Sequence, residues 1–132
     1  MKPSGINRMT ANELRIGNYI FDALDGLCIV RGLTRRGIWI RGGSGPATED
    51  AFKPIKLNQE WIEKFGFKYH DGFRDSFYNE AIEIYGDPFE KGYQVEAMFG
   101  NHWPPELNRK LVIEYVHQLQ NLYFALTGTE LQ

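Results

Sequence analysis

The stretch 111–128, LVIEYVHQLQNLYFALTG, is the longest run of the chain that is dense in apolar residues. Apolar side chains recur there at steps of three and four residues, the spacing of one buried helix face: Val116, Leu119, Leu122, Tyr123 and Leu126. Gly128 follows the last of them, where a helix closes with a left-handed residue. Because residues 111–115 alternate instead, we predict a strand at about 110–115 and a helix at about 116–127 on which other elements pack.

The length of 132 residues suits one domain, which we assign to 1–132 with 1–10 as a flexible arm. The single cysteine, Cys28, excludes an internal disulfide and a zinc site built on cysteines, and its apolar neighbours predict a small core residue. No apolar run reaches the roughly 18 residues of a membrane span, and the N-terminus lacks the apolar segment of a signal peptide. We therefore expect a cytoplasmic protein with no membrane partner.

Short strands joined by tight turns are predicted for the N-terminal third. Thr10 and Glu13 have the spacing of a helix capping box, which predicts one helical turn at 11–14. The predicted strands are 19–22, 27–33 and 38–41, with turns at Asp25-Gly26 and at 34–37. Such a β-meander is typical of the start of an SH3-like barrel.

The middle of the chain predicts a short helix followed by a second sheet. Asn58 is an N-cap for a helix at 59–65, and Gly66 ends it. The predicted strands of the sheet are 67–69, 81–85 and 93–98, with a hairpin turn at Asp71-Gly72. The fold class is therefore α+β, with an N-terminal β-meander, a middle short helix, an antiparallel sheet and a C-terminal helix packed on that sheet.

No pattern in the chain specifies a catalytic reaction. The three histidines, His70, His102 and His117, have no metal-ligand spacing, and we expect His117 to hydrogen-bond to backbone near the start of the last helix. Nucleophile-elbow, zinc-protease and phosphate-loop motifs do not occur. The sequence thus predicts a non-enzymatic protein without a cofactor or metal.

Charge is distributed unevenly along the chain. Residues 1–45 carry seven Lys and Arg against three acids, a net charge of +4, whereas residues 46–132 carry eight against fourteen, a net charge of −6. Four arginines and a tryptophan cluster on the hairpin at 31–41: Arg31, Arg35, Arg36, Trp39 and Arg41. Arginines beside an aromatic ring can hold a phosphate backbone and stack a base, so this hairpin is a candidate nucleic-acid site. A solvated turn of ordinary charge, or docking on an acidic protein groove, is the alternative.

The C-terminal two thirds provide a second candidate surface, acidic and rich in aromatics. The aromatic residues concerned are Phe73, Phe77, Tyr78, Tyr85, Phe89 and Tyr93. A surface of this kind can occupy the basic nucleic-acid channel of a larger protein. The loop that contains His102 and Trp103 is a further candidate contact region.

Two stretches, NELRIGNY at 12–19 and YVHQLQNLYFALTGTEL at 115–131, resemble a group of small uncharacterised proteins of Bacteroidetes phages and prophages. A proline-led segment with a tryptophan-bearing helix at 54–67 is also similar to that group, and residues 86–110 are not. The resemblance supplies no catalytic residues. It implies a phage accessory protein made inside a bacterial cell.

Small accessory proteins of phages often act on host machinery, and anti-CRISPR proteins are one such class. The resemblance therefore implies, as the first hypothesis, a stoichiometric inhibitor of a host defence nuclease, an RNA-guided CRISPR effector being the favoured partner. The second hypothesis is a nucleic-acid-binding module, with RNA as the ligand of the arginine hairpin. A structural virion component ranks below both because the chain lacks a long oligomerisation helix.

Overall fold

The N-terminal strands form the predicted meander. The computed structural model describes residues 9–70, 76–87, 92–97 and 112–132. The first four strands are β1 (Tyr19–Asp22), β2 (Leu27–Thr34), β3 (Gly37–Ile40) and β4 (Phe52–Lys53). They form an antiparallel sheet in the order β3-β2-β1-β4, so the two hairpins of the meander lie side by side and β4 completes the sheet next to β1.

The second sheet has five antiparallel strands in sequence order. They are β5 (Lys68–His70), β6 (Ser76–Tyr78), β7 (Ile82–Asp87), β8 (Gly92–Ala97) and β9 (Val112–Ile113). Helix α1 (Gln59–Lys64) precedes this sheet and helix α2 (Val116–Thr127) follows it. The α+β class with two antiparallel sheets is confirmed, whereas the hairpin turn predicted at Asp71-Gly72 lies outside the described residues. In the described part of the chain, no helix is long and apolar enough to cross a membrane.

Both helices begin and end where local signals predict. The Asn58 side chain accepts a hydrogen bond of 2.9 Å from the backbone N–H of Trp61, which satisfies one of the free donors at the start of α1. Gly128 has φ of 75° at the end of α2, and its N–H donates to the Phe124 carbonyl at 2.7 Å. A residue with a Cβ would be strained in this left-handed conformation, so glycine closes the helix.

Strand β1 contributes to two hydrophobic cores because its side chains alternate between its faces. Ile20 is fully buried in the smaller core, which contains residues of β2 and β3. Its neighbours Tyr19 and Phe21 pack from the other face against the larger core, which the helices and the five-stranded sheet share. In that larger core Leu119 of α2 is completely buried. The C-terminal helix is therefore packed against the sheet, as its apolar stripe predicts.

Helix α2 also carries a polar residue in its buried stripe, and this residue joins the two ends of the chain. The Gln120 side chain is 1% exposed. Its Oε1 accepts from the Tyr19 N–H at 2.9 Å, and its Nε2 donates to the carbonyls of Gly17 at 3.2 Å and Leu131 at 3.1 Å. The amide of Gln120 thus satisfies backbone groups that packing removes from water.

Asn18 and Arg15 extend this contact between residues 12–19 and 115–131, which we call the terminal junction. Asn18 is 1% exposed, and its side chain accepts from the Arg15 N–H at 2.7 Å and donates to Asn121 Oδ1 at 2.8 Å. The Arg15 guanidinium pairs with Glu130 and lies 4.0 Å from the ring centroid of Phe124. The stretches 12–19 and 115–131 therefore bind each other within the fold.

The capping box predicted at Thr10 and Glu13 is wrong, although the predicted turn exists as a 3₁₀ helix at Ala11–Glu13. Thr10 makes no side-chain capping bond. The Glu13 N–H donates instead to the Thr10 carbonyl at 3.2 Å, and the Glu13 carboxylate contacts His117. The reason is that a backbone acceptor and a tertiary partner occupy the two groups of Glu13 that a capping box would use.

We expect replacement of Gln120 by leucine to destabilise the protein by at least about 2 kcal/mol, because each buried backbone group left without a partner costs roughly 1–3 kcal/mol. Urea unfolding measures the change. The matched control is Gln59→Leu, an exposed residue of α1 whose replacement we expect to alter stability by less than about 0.5 kcal/mol. Equal effects of the two replacements would contradict a structural role for the buried amide.

Candidate nucleic-acid interface

The candidate site lies on the hairpin of β2 and β3. Ile38 of β3 is fully buried in the smaller core, and Ile40 packs against the same core. Trp39 lies between them in sequence and therefore points to the opposite, outer face of the strand. Arg41 follows the end of β3, and its N–H donates to the Ile29 carbonyl at 2.9 Å, so it continues the strand pairing. The prediction that Trp39 and Arg41 share the face opposite Ile38 and Ile40 fits this arrangement.

A β-bulge brings Arg31 to the same face as Trp39. Val30 pairs with Ile40 and Gly32 pairs with Trp39, so one extra residue, Arg31, is inserted in β2 between the two pairs. Arg31 and Gly32 thus both oppose the tryptophan. The guanidinium carbon of Arg31 lies 5.8 Å from the centroid of the Trp39 ring, within the range of a cation–π contact.

Arg35 and Arg36 occupy the turn at the tip of the hairpin. The Thr34 hydroxyl stabilises this turn, since its oxygen accepts from the Arg36 N–H at 3.2 Å and its O–H donates to the Gly37 carbonyl at 3.4 Å. Both arginine side chains are exposed. The tip therefore presents two adjacent guanidinium groups on a turn with a defined backbone conformation.

The hairpin is also fixed from its outer edge. Ile38 and Ala47 exchange two backbone hydrogen bonds, of 2.8 and 2.9 Å. The backbone of Gly37 lies so close to this connection that a Cβ there would approach the Ala47 carbonyl oxygen at 2.4 Å. Glycine is therefore required at the point where the turn enters β3.

The four arginines of the hairpin differ from three other basic residues of the chain, which form ion pairs. Arg15 pairs with Glu130, Lys53 with Asp25 and Lys56 with Glu114. Within the described residues no ion pair is formed by any arginine of the hairpin: Arg31, Arg35, Arg36 and Arg41. All four are exposed. The hairpin is therefore a positively charged surface that no described acid neutralises by an ion pair, with one half-buried indole ring on it.

Of the seven predicted contact residues, five are brought together by this hairpin. His102 and Trp103 lie outside the described residues. The arginines and Trp39 share one two-stranded element, as the sequence predicted. The bulge at Arg31 has no signal in the sequence apart from Gly32, a residue type that often accompanies bulges.

The second candidate surface, the acidic and aromatic face, is only partly exposed. Phe77 and Tyr85 are each 6% exposed, because residues on both faces of the five-stranded sheet are covered. Phe73 and Phe89 lie outside the described residues. The prediction of an exposed aromatic face is thus wrong for Phe77 and Tyr85.

A cleft of about 440 Å³ opens at one end of this sheet. The residues that line it are Gln59, Tyr69, Phe77, Gly86 and Tyr93. Tyr69 and Phe77 are in ring contact at 5.3 Å, and burial raises the pKa of the Tyr93 hydroxyl. Its aromatic lining belongs to the packing of the sheet, and it contains no charged side chain among the described residues.

His117 makes a different contact from the predicted one. Its ring is completely buried, and Nε2 lies 2.9 Å from Glu13 Oε1, a side chain rather than a backbone group. Among the described residues, Nδ1 has no hydrogen-bond partner. A neutral ring with its proton on Nε2 fits this arrangement, because Nε2–H then donates to the carboxylate and Nδ1 is left as an unpaired acceptor. Burial lowers the pKa of His117 from its ordinary 6.5, while the hydrogen bond and charge of Glu13 act in the opposite direction.

Cys28 is a core residue, as predicted, at 6% exposure. Burial raises the pKa of its thiol, and the nearby charge of Asp22 raises it further. The reactive thiolate is therefore disfavoured. No group of three or more histidine, cysteine or acidic side chains with metal-binding geometry occurs in the described parts of the chain.

Comparisons with known proteins identify no relative of this chain. No family model matches the chain, and no curated protein or solved structure shows significant similarity to it.

The depressed pKa of His117 predicts a stability that falls with acidity. The unfolded chain binds the histidine proton more readily than the folded protein does, so the free energy of unfolding decreases as pH falls from about 7 through 6.5 towards the lower folded-state pKa. Urea unfolding at about pH 7 and about pH 5 measures this. We expect His117→Gln to reduce the pH dependence and the exposed control, His70→Gln, to leave it unchanged. A similar reduction of the pH dependence in both variants would contradict its assignment to the titration of His117.

Proposed function

We propose that this chain is a non-enzymatic binding protein that attaches to the phosphates of a nucleic acid through its arginine hairpin. The observation that carries the proposal is the cluster of four exposed arginines, none of them ion-paired among the described residues, around one tryptophan. Guanidinium groups bind phosphate oxygens with two parallel hydrogen bonds, and phosphates dominate the affinity of most nucleic-acid complexes. The fixed backbone of the hairpin lowers the entropy lost on binding.

The geometry favours this role over docking by the acidic half of the protein. An acidic inhibitor surface requires exposed aromatic anchors, and two of the aromatic residues expected there are buried. The arginine hairpin instead has its charges on the outer face and its apolar side chains in the core. An acidic protein groove is the other ligand class that this charge would suit, and the binding experiment below includes it.

In the phage context that the sequence resemblance suggests, we propose that the biological target is an RNA-guided defence nuclease of the host. Such an enzyme contains a guide RNA, and its exposed phosphates are the chemistry that the hairpin would recognise. The negative charge of the remaining chain keeps the protein from binding every nucleic acid along its whole surface. Inhibition would then be stoichiometric, since the chain would act by occupying the nuclease.

We expect Arg35→Glu combined with Arg36→Glu to weaken binding to RNA at least about tenfold at low salt, because two phosphate contacts become repulsive. Fluorescence anisotropy with labelled RNA and DNA of about ten nucleotides measures this. The matched control is Lys64→Glu with Lys68→Glu, which changes the net charge equally at exposed positions of α1 and β5. The charge-reversed hairpin variant should lose affinity and the control should retain most of it.

Two results would contradict the hairpin proposal. Equal losses in the two variants would mean that net charge alone governs binding. Unchanged RNA binding in the hairpin variant would exclude these arginines from the contact, and binding of an acidic peptide but no nucleic acid would assign the hairpin to a protein partner.

For the biological target, we expect equimolar chain to abolish target cleavage by a guide-loaded RNA-guided nuclease purified from the bacterial host. Cleavage should fall in proportion to the chain added, because a stoichiometric inhibitor removes one enzyme per molecule. The Arg35→Glu and Arg36→Glu variant serves as the control and should inhibit less. Undiminished cleavage at a large excess of the chain would reject the nuclease as target while leaving nucleic-acid binding to the separate assay.

A further inference from the structure

We infer that the ligand of the arginine hairpin is a single-stranded nucleic acid, with one unpaired base stacked on the indole of Trp39. This inference rests on the proposed function and deepens it by naming the substrate class. Bases of a duplex are already stacked and paired, so their faces are not accessible to a side chain. An aromatic platform among phosphate-binding arginines is therefore useful only for a strand whose bases are free.

The position of Trp39 suits such a platform. Its ring is on the outer face of the hairpin and lies across the backbone of Gly32, where an added Cβ would be 3.6 Å from the Trp39 Cβ. Because Gly32 has no side chain, it does not cover the indole, and Arg31, the other residue that opposes Trp39, has its guanidinium carbon 5.8 Å from the ring centroid. Trp39 is half-buried rather than covered, so part of the ring system is accessible.

The arginines surround the indole at positions that suit the phosphates on either side of a stacked base. Arg31 is directed towards the ring by the bulge, at 5.8 Å from its centroid. Arg41 is two residues further along the chain, just past the end of β3, and its N–H continues the strand pairing, so its backbone lies about 7 Å away at the usual rise of a strand. Arg35 and Arg36 lie at the tip, beyond Trp39 in the other direction. A strand that follows the hairpin would meet positive charge before, beside and after the base.

If Trp39 has a purely structural role, its replacement changes the stability of the hairpin rather than the binding of a base. Aromatic residues often cover a glycine on the paired strand and stabilise a sheet in that way. Trp39→Leu retains an apolar cover over Gly32 and removes the flat ring, whereas Trp39→Phe retains a ring. Thermal unfolding of both variants shows whether the hairpin remains folded.

The experiment measures binding of labelled single-stranded RNA, single-stranded DNA and duplex of about ten nucleotides, and of inorganic polyphosphate as an anion without bases. Wild type should prefer the single strands to the duplex. Trp39→Leu should weaken single-strand binding about tenfold, and Trp39→Phe should retain most of the wild-type affinity. Both variants should bind polyphosphate as well as the wild type does. The dependence of affinity on salt should stay the same in Trp39→Leu but fall in Arg35→Ala with Arg36→Ala, by a log–log slope of about 1.4.

The results separate this inference from the proposal on which it rests. Equal affinity for duplex and single strand, or full single-strand affinity in Trp39→Leu, would overturn base stacking while leaving phosphate binding by the hairpin intact. Absence of binding to every nucleic acid at low salt would overturn both. A preference between the RNA and DNA single strands would decide which of the two the site takes.

Discussion

The buried amide of Gln120 is the interaction on which the architecture depends. It binds the backbone at Gly17, Tyr19 and Leu131 at once, and thereby holds the start of β1 and the end of the chain against α2. Because β1 also contributes side chains to both cores, fixing it fixes the N-terminal sheet relative to the larger core. A buried polar group of this kind is costly unless every hydrogen bond is made, which restricts the chain ends to one arrangement.

The terminal junction uses the functional groups of residues 12–19 and 115–131 for contacts within the fold. Asn18 and Arg15 of the first stretch are bonded to residues of the second, and Glu13 is bonded to the buried His117. Their functional groups are already used inside the molecule. Among the described residues, no side chain of the arginine hairpin is bonded to this junction.

The sequence predicted those features that depend on neighbours along the chain. Asn58 and Gly128 act as helix caps because capping involves groups within one turn, and the alternation of Ile38, Trp39 and Ile40 defines the faces of β3. The role of Gln120 was missed because its partner at Tyr19 is 101 positions away. The one signal of this role in the sequence is that Gln120 is a polar residue within an apolar helix stripe. The partner of His117 was predicted wrongly for the same reason, since Glu13 is 104 positions distant.

Among the described residues, no folding contact accounts for the positive charge of the hairpin. Adjacent cations at Arg35 and Arg36 repel each other, and exposed charges contribute little to stability even when they are paired. The remainder of the chain is acidic and supplies partners to Arg15, Lys53 and Lys56, but no described acid pairs with the hairpin. The bulge at Arg31 adds an irregularity to β2 whose effect is to direct one more cation to Trp39. This arrangement, for which the described folding contacts give no reason, is the basis of the proposed site for an anionic strand.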